Sequence, residues 1–330
     1  MEGAVLSHKG GRRRTRPTLS PQQLRDLTIF TQNQAFERST LKHYATGARD
    51  YIDFCHRHRI PLDPTPATLC QYIAYSSLFM ASAPKYLTGA QFFLSEFFPD
   101  FEKNRKHPAV IRTILGARKV RADPIRRKLP LRIFHLRLFT LKATLSNDYD
   151  DLLLATLVSC GFYGCHRLGE LVQPNDKSLR DWRKIIKRGS LLFSKDLVRY
   201  RLPYNKSDRF FKGYDIWLSN QEFADPVSLL RDYTTQRDSI HGAASPLFLR
   251  KDGSPPTRSW FESQFFKIVN REFGGHSLRS GGATFYASLG LSETTIRAAG
   301  RWSSKSWKIY VRDNPAVRIQ LETAHLLRHS

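Results

Sequence analysis

The segment from Gly274 to Asn314 reads GGHSLRSGGATFYASLGLSETTIRAAGRWSSKSWKIYVRDN. It sets His276 and Arg279 one helical turn apart, then Arg301 and Trp302, then Tyr310 followed by Val311 and Arg312. Side chains three residues apart on a helix share a face. A histidine and an arginine so placed can grip a phosphate, the guanidinium through its permanent charge and planar fork of donors. A tyrosine hydroxyl beyond them can attack that phosphate. The combination implies cutting and rejoining of DNA through a phosphotyrosine bond. Taken alone, His276 after Gly274-Gly275 reads equally as the opening of a helix. The following Ser280-Gly281-Gly282-Ala283 leaves a helix surface almost bare. Each mid-helix glycine costs about 1 kcal/mol, which a close approach of another backbone would offset.

Two further stretches carry candidate residues. In Gly164-Cys165-His166-Arg167-Leu168-Gly169-Glu170-Leu171, Arg167 and Glu170 are spaced for an ordinary helix ion pair. Alternatively, Glu170 orients a guanidinium that reaches a phosphate. Lys206 lies in the polar run Asn205–Gly213 between two strand-like segments. A lysine in such a turn is either solvated or the donor of a proton to a leaving 5′ oxygen, and Lys195 and Lys212 are its rivals. The four cysteines, Cys55, Cys70, Cys160 and Cys165, show no framework of spacings and read as small buried hydrophobes in a reducing compartment. Cys160, Cys165 and His166 lack a second pair to complete a metal site, so no metal is expected.

The remainder of the chain must position these groups. Its 330 residues allow two domains, and 41% hydrophobic content with 22 Phe and 13 Tyr argues for a folded protein. The balance of 53 Lys+Arg against 29 Asp+Glu, a formal charge of +24, calls for a polyanionic partner. No apolar run approaches the ~18–20 residues of a membrane span, and no signal peptide opens the chain. A soluble intracellular protein, not secreted, is expected. Residues 1–17 form a basic arm with Arg12, Arg13 and Arg14, suited to DNA phosphates, to a nuclear address, or to solubility alone.

Helical periodicity starts near Ser39, where Ser39 and Thr40 are candidate caps. The apolar face there is Leu41, Tyr44, Ala48, Tyr51, Ile52 and Cys55. Further helices fit Pro66–Phe79, Ala83–Phe97 and Pro108–Ala117, making a small all-α domain over 18–122. The stretch Lys103–Lys128 holds ten Lys/Arg and one acid, Asp123, and reads as an exposed linker. The domain boundary is placed at 123–130. Lys119, Arg121, Arg126, Arg127 and Lys128 are the DNA-binding candidates of this stretch. Helices follow at Leu131–Leu145 and Tyr149–Tyr163, each apolar on one side. Strands fit Ser190–Ser194, Leu197–Tyr204 and Tyr214–Leu218. Helices resume at Pro226–Arg237, Thr257–Asn270, Ser277–Ser288, Glu293–Gly300 and Ala316–Arg328. The fold class is mainly α with one small antiparallel β-sheet.

In their order along the chain, Arg167, Lys206, His276, Arg279, Trp302 and Tyr310 resemble the active-site series of the tyrosine recombinases, the integrase-like DNA breaking and rejoining enzymes. HSLRSGG resembles that family's H-x-x-R box, HRLGEL its first-arginine box, and Gly300-Arg301-Trp302 with Ile309-Tyr310-Val311-Arg312 its closing box. The resemblance covers about residues 35–315. It implies a helical core-binding (SAM-like) domain over 18–122, a catalytic domain over 131–315, and a C-terminal helix over 316–330 docked on its own subunit or exchanged with a neighbour. It further implies that Tyr310 is the nucleophile, that Arg167 and Arg279 neutralise the transition state, that Lys206 is the general acid, and that His276 manages the tyrosine proton. The bond energy stays in the ester, so neither metal, ATP nor another cofactor is implied.

One spacing departs from the pattern. The family's histidine-or-tryptophan position lies nine residues before the tyrosine, which is Arg301; spacing from Arg279 favours Trp302. The GRW form resembles eukaryotic mobile-element recombinases of the Crypton type. The implied partner is double-stranded DNA, bound by a dimer on one site and a tetramer in synapsis. The implied location is the nucleus of a eukaryote, or the cytoplasm and nucleoid otherwise. Competing readings are a transposon-derived regulator that only binds DNA, a type IB topoisomerase, and a general basic nucleic-acid-binding protein.

Overall fold

The computed structural model describes residues 17–124, 127–206, 208, 210–303 and 307–311, with residues 33 and 310 described in backbone only. The chain divides into two compact units, Met1–Ile125 and Arg126–Ser330.

The first unit is all helical: α1 Pro21–Asn33, α2 Arg38–His58, α3 Pro66–Phe79, α4 Ala83–Leu94, α5 Phe101–Arg105 and α6 Pro108–Arg121. Two of these, α1 and α5, are absent from the periodicity reading. Helix α1 presents no buried face, so periodicity had nothing to register; a Ser20–Gln23 capping box and Pro21 start it. Helix α2 begins one residue before Ser39, with Glu37 at the cap position, so Ser39 and Thr40 are not its caps. Its buried face is Gly47, Ala48, Tyr51, Phe54 and Cys55; Ile52, assigned to that face from sequence, is 40% exposed. Helices α2, α3, α4, α5 and α6 enclose a core of Tyr51, Phe54, Leu69, Tyr72, Ile73, Leu87, Phe101 and Val110.

The reading of Lys103–Lys128 as linker needs correction. Most of it is α5 and α6. Arg105 turns inward to Gln91 and Thr88, each at 2.8 Å, and Arg121 donates to Ser77 O at 2.7 Å and to Asp123. Long cationic side chains can lie along a protein surface with their donors satisfied locally, so charge density alone does not distinguish a basic helix from a linker.

The second unit contains α7 Ile133–Ser146, α8 Tyr149–Tyr163, a one-turn α9 Leu168–Leu171, strands β1 Leu192–Phe193, β2 Leu197–Leu202 and β3 Tyr214–Ser219, then α10 Pro226–His241, α11 Arg258–Phe265, α12 Gly275–Ser288, α13 Glu293–Gly300 and α14 Lys308–Val311. The sheet is antiparallel in the order β1-β2-β3, with Tyr200 opposite Ile216 and Arg199 opposite Trp217. Fold class and sheet type are therefore those expected from sequence. Two strands are shorter than expected, β1 keeping two residues and β2 stopping at Leu202, while β3 runs one residue further, to Ser219.

Helix α8 is the centre of this unit. It is buried over nearly its whole circumference, not on one side, because α7, α10 and α12 all pack against it. Helix α12 approaches tightly: a Cβ at Gly282 would stand 2.0 Å from Phe162 O. That approach explains the bare Gly281-Gly282 surface and brings the chemistry-bearing end of α12 to the end of α8. Among the described residues no helix is long and apolar enough to cross a membrane. The expected helix Ala316–Arg328 and the arm with Arg12, Arg13 and Arg14 lie outside the described residues.

Candidate active site

Four elements converge where α8 ends. Arg167 stands at the start of α9, Lys206 on the turn after β2, His276 and Arg279 on the first two turns of α12, and Arg301 and Trp302 just beyond α13. Arg279 is 1% exposed. Its two terminal nitrogens donate to Cys165 O and Gly300 O, and its guanidinium carbon lies 4.3 Å from the Trp302 ring centre. Burial lowers its pKa to about 10, still high enough to keep the charge at neutral pH. Its Nε is buried without a hydrogen-bond partner, an unmet donor of the kind an anion would satisfy.

Trp302 is buried with Cys165, Ala283, Ile296, Trp307 and Val311, so the indole serves as a floor under Arg279. Gly300 makes this possible, since a Cβ there would stand 1.7 Å from the Trp302 ring. Arg301 takes a different course. It adopts a left-handed φ of 55° and sends its guanidinium inward, to Glu170 at 2.9 Å and to the carbonyls of Gly164 and Cys165 at 3.1 and 3.3 Å. A non-glycine residue in this conformation is strained and persists only where surrounding contacts hold it. The two candidates for the fifth position thus have separate surroundings, one stacked on Arg279 and the other bound to Glu170.

Glu170 is the hub. One carboxylate oxygen accepts from Arg167 Nη1 at 3.1 Å; the other meets His166 Nδ1 and Arg301 Nη2, each at 2.9 Å, and the Arg167 backbone N–H at 3.2 Å. Arg167–Glu170 is therefore more than the exposed helix pair its spacing suggests. Burial alone would raise the Glu170 carboxyl, but the His166 hydrogen bond and the charges of Arg301 and Arg279 outweigh it and bring it down to about 2. His166 is fully buried, and loss of hydration lowers it to about 4, so it is neutral at physiological pH. Its two ring nitrogens meet Glu170 and Tyr200. Among the described residues no cluster of three or more His, Cys, Asp or Glu has the arrangement to hold a metal ion. The four cysteines are unpaired.

His276 occupies the exposed rim. Partial burial lowers its pKa first, and the charges of Arg258, Arg279, Arg167 and Lys206 lower it further. Lys206 is thus part of the same positive field. The Lys206 turn is closed by Asp208, whose carboxylate accepts from the backbone N–H of Phe210, Lys212 and Gly213. Tyr310 lies in α14, which packs on α12. Trp307 and Val311 anchor that helix in the apolar cluster, and Trp307 Nε1 donates to Glu293 at 3.2 Å.

Sequence reasoning did not assign His166, Tyr200 or Arg258 to the site. Arg258 opens α11 and pairs with Glu262 at 3.4 Å, a local pattern with nothing to mark it. Of the DNA-binding candidates, Lys119 and Arg127 are exposed, Arg121 is engaged as described, and Lys128 donates to Arg271 O within its own unit. Arg126 lies outside the described residues.

The His166–Glu170 pair makes the fold acid-labile, with a definite sign. His166 has a folded pKa below its unfolded value of about 6.5, and Glu170 one below its unfolded value of about 4.3. In both cases the unfolded state binds the proton more readily, so stability is lost as pH falls. The His166 contribution, roughly 2–4 kcal/mol by linkage, disappears between about pH 6.5 and 4; that of Glu170 follows between about 4.3 and 2. Urea unfolding at several pH values should show the advantage of wild type over His166→Asn narrowing across the first window. A constant advantage down to pH 4 would contradict it.

No family model matches the chain, and no curated protein matches it. Solved structures do. The chain superposes on the XerH site-specific recombinase bound to a palindromic difH substrate, in a post-cleavage complex, with TM-score 0.60 and 14% identity over 88% of this chain and 80% of that one. It superposes on a fragment of lambda integrase, crystallised as a dimer on a core site, with TM-score 0.52 and 13% identity over 88% of this chain and 95% of that one. A Tn1549 transposon integrase in complex with transposon right-end DNA gives TM-score 0.52 and 13% identity over 86% of this chain and 98% of that one. The fold is that of the integrase catalytic domain with a helical domain before it.

Proposed function

We propose that this chain is a site-specific DNA recombinase of the tyrosine type, which cuts and rejoins DNA through a 3′-phosphotyrosine intermediate. The observation that carries the reading is the set of cations Arg167, Lys206 and Arg279 gathered around His276, on an integrase fold in which α14, packed on α12, bears Tyr310. In the forward step the Tyr310 oxygen bonds to phosphorus and the P–O5′ bond breaks. Lys206 gives the departing 5′ oxygen its proton, and His276, neutral at physiological pH, takes the proton of the tyrosine. Arg167 and Arg279 face the charge of the pentacovalent transition state. Rejoining reverses each transfer, so the ester conserves the bond energy.

Double-stranded DNA is the proposed partner, with dimers on a site and tetramers in synapsis. The Gly300-Arg301-Trp302 form supports a mobile-element origin of the Crypton type, and with it a nuclear location. A catalytically retired DNA-binding protein is the alternative; so is topoisomerase-like relaxation.

Incubation of the protein with a pool of nicked suicide duplexes of randomised sequence tests the reading, because loss of a short 5′-hydroxyl product traps the covalent intermediate. A nuclease-resistant adduct is expected, with its nucleotide remnant on the peptide containing Tyr310. An adduct on another residue, or none across a pool that the protein binds, would overturn the assignment. Failure to relax supercoiled plasmid as a lone protomer separates the recombinase from the topoisomerase.

A further inference from the structure

The proposed chemistry uses neither His166 nor Tyr200, yet both are wholly buried beside it. Their rings lie nearly parallel, 15° apart, with His166 Nε2 2.7 Å from the Tyr200 hydroxyl. The other imidazole nitrogen, Nδ1, is 2.9 Å from Glu170. Each polar atom of the pair is therefore matched inside a dry interior, where an unmatched one would be costly. A leucine at 166 would fill similar space without any of these bonds.

The direction of the bonds follows from chemistry. Burial raises the Tyr200 hydroxyl well above its ordinary range, so it keeps its proton and donates to Nε2. The remaining imidazole proton then sits on Nδ1 and is donated to the Glu170 carboxylate, the tautomer being fixed by the network. The groups that face this imidazole are Glu170, Tyr200, the guanidinia of Arg279 and Arg301, and through Glu170 that of Arg167.

Given the recombinase reading, on which this rests, we infer that His166 and Tyr200 form a buried positioning relay that holds Glu170 in the orientation from which it grips Arg167 and Arg301 together. Glu170 needs such a hold. It must keep one oxygen toward Arg167, whose side chain is 30% exposed, and the other toward Arg301, whose side chain is only 4% exposed. A carboxylate free to rotate could satisfy either guanidinium better than both. The relay also reaches across the fold. Tyr200 belongs to β2, the strand that runs into the turn of Lys206, so one chain of hydrogen bonds ties the arginine grip to the strand that leads to the proposed general acid. Tyr200 and His166 touch no reacting atom; they are positioning residues.

The test uses the full-length chain and the nicked suicide pool, with Tyr200→Phe, His166→Leu and His166→Asn beside wild type. A displacement of about an ångström in a catalytic group can cost roughly 100-fold. Single-turnover adduct formation should fall about 10- to 100-fold in Tyr200→Phe and His166→Leu, with DNA affinity within about twofold of wild type. His166→Asn, whose amide can donate to Glu170 in place of Nδ1–H, should recover part of that loss. Imidazole ¹⁵N spectra should report a neutral Nδ1–H tautomer for His166 in wild type, and a redistributed proton in Tyr200→Phe. This readout needs no activity and does not require the leucine variant to fold.

Wild-type rates in Tyr200→Phe would overturn the relay, as would an Nε2–H tautomer in wild type, an asparagine variant no faster than the leucine one, or affinity falling in step with rate. Absence of an adduct with wild-type protein overturns the recombinase reading instead, and leaves the spectra to judge the hydrogen-bond arrangement.

Discussion

Tyr310→Phe is expected to eliminate covalent adduct formation altogether while leaving folding and DNA binding in place. The substitution removes one oxygen atom, the one that bonds to phosphorus in the proposed reaction. No neighbouring group replaces it: a nucleophile has to lie within near-attack distance and in line with the leaving oxygen. The helix that carries residue 310 is held by other residues. Trp307 and Val311 are buried in the cluster with Ile296 and Trp302, and both Trp307 and Lys308 reach Glu293. The aromatic ring that phenylalanine keeps should therefore stay on the same helix. Adduct yield on the suicide pool, thermal melting and a salt-titrated binding curve measure the three properties separately. Retention of adduct by Tyr310→Phe would move the nucleophile elsewhere, and simultaneous loss of melting cooperativity would give the residue a structural role.

Arg279→Lys should lower the single-turnover rate at least about 100-fold, the usual cost of removing one preorganised charged donor, and should destabilise the fold as well. Lysine keeps the charge but replaces a planar fork with a compact ammonium. It cannot reach Cys165 O and Gly300 O together and still stack a flat cation on Trp302. The buried Gly300 carbonyl would lose its partner, at about 1–3 kcal/mol when left unsatisfied, and Cys165 O would keep only the bond from Arg301. The melting temperature should fall by several degrees. A rate reduced with an unchanged melting temperature would show that the carbonyl bonds are expendable. The opposite result, a lowered melting temperature with wild-type cleavage, would confine Arg279 to structure and weaken the reading of the whole cluster.

Much of the organisation was legible in the chain because periodicity and punctuation record which faces are buried. Pro66–Phe79, Tyr149–Tyr163 and Glu293–Gly300 fall on the expected boundaries, where Thr65, Asp148 and Ser292 cap helix starts with side-chain oxygens. The bare Gly281-Gly282 surface announced a close helix contact, and α8 supplies it. The errors have equally physical sources. Helix α1 has no buried stripe to read, and the basic last turn of α6, beyond the expected end at Ala117, looked like linker because charge density does not reveal where a guanidinium finds its carbonyls. Glu170 showed only its local spacing to Arg167. Its bonds to Arg301, 131 residues away, and through His166 to Tyr200 on another element are invisible to any pattern confined to neighbours.

The sequence by itself determined the helical class, the small hairpin sheet, and the identity and order of the residues suited to phosphate chemistry. These depend on local propensity, on spacing along one helix and on side-chain type. The tertiary structure decided which of those groups share an electrostatic field, that Arg279 rests on Trp302 while Arg301 turns back to Glu170, and that His166 is neutral and enclosed. Such properties depend on dehydration and on partners distant in sequence, and they exist only once α8, α9, α12 and the sheet have packed together.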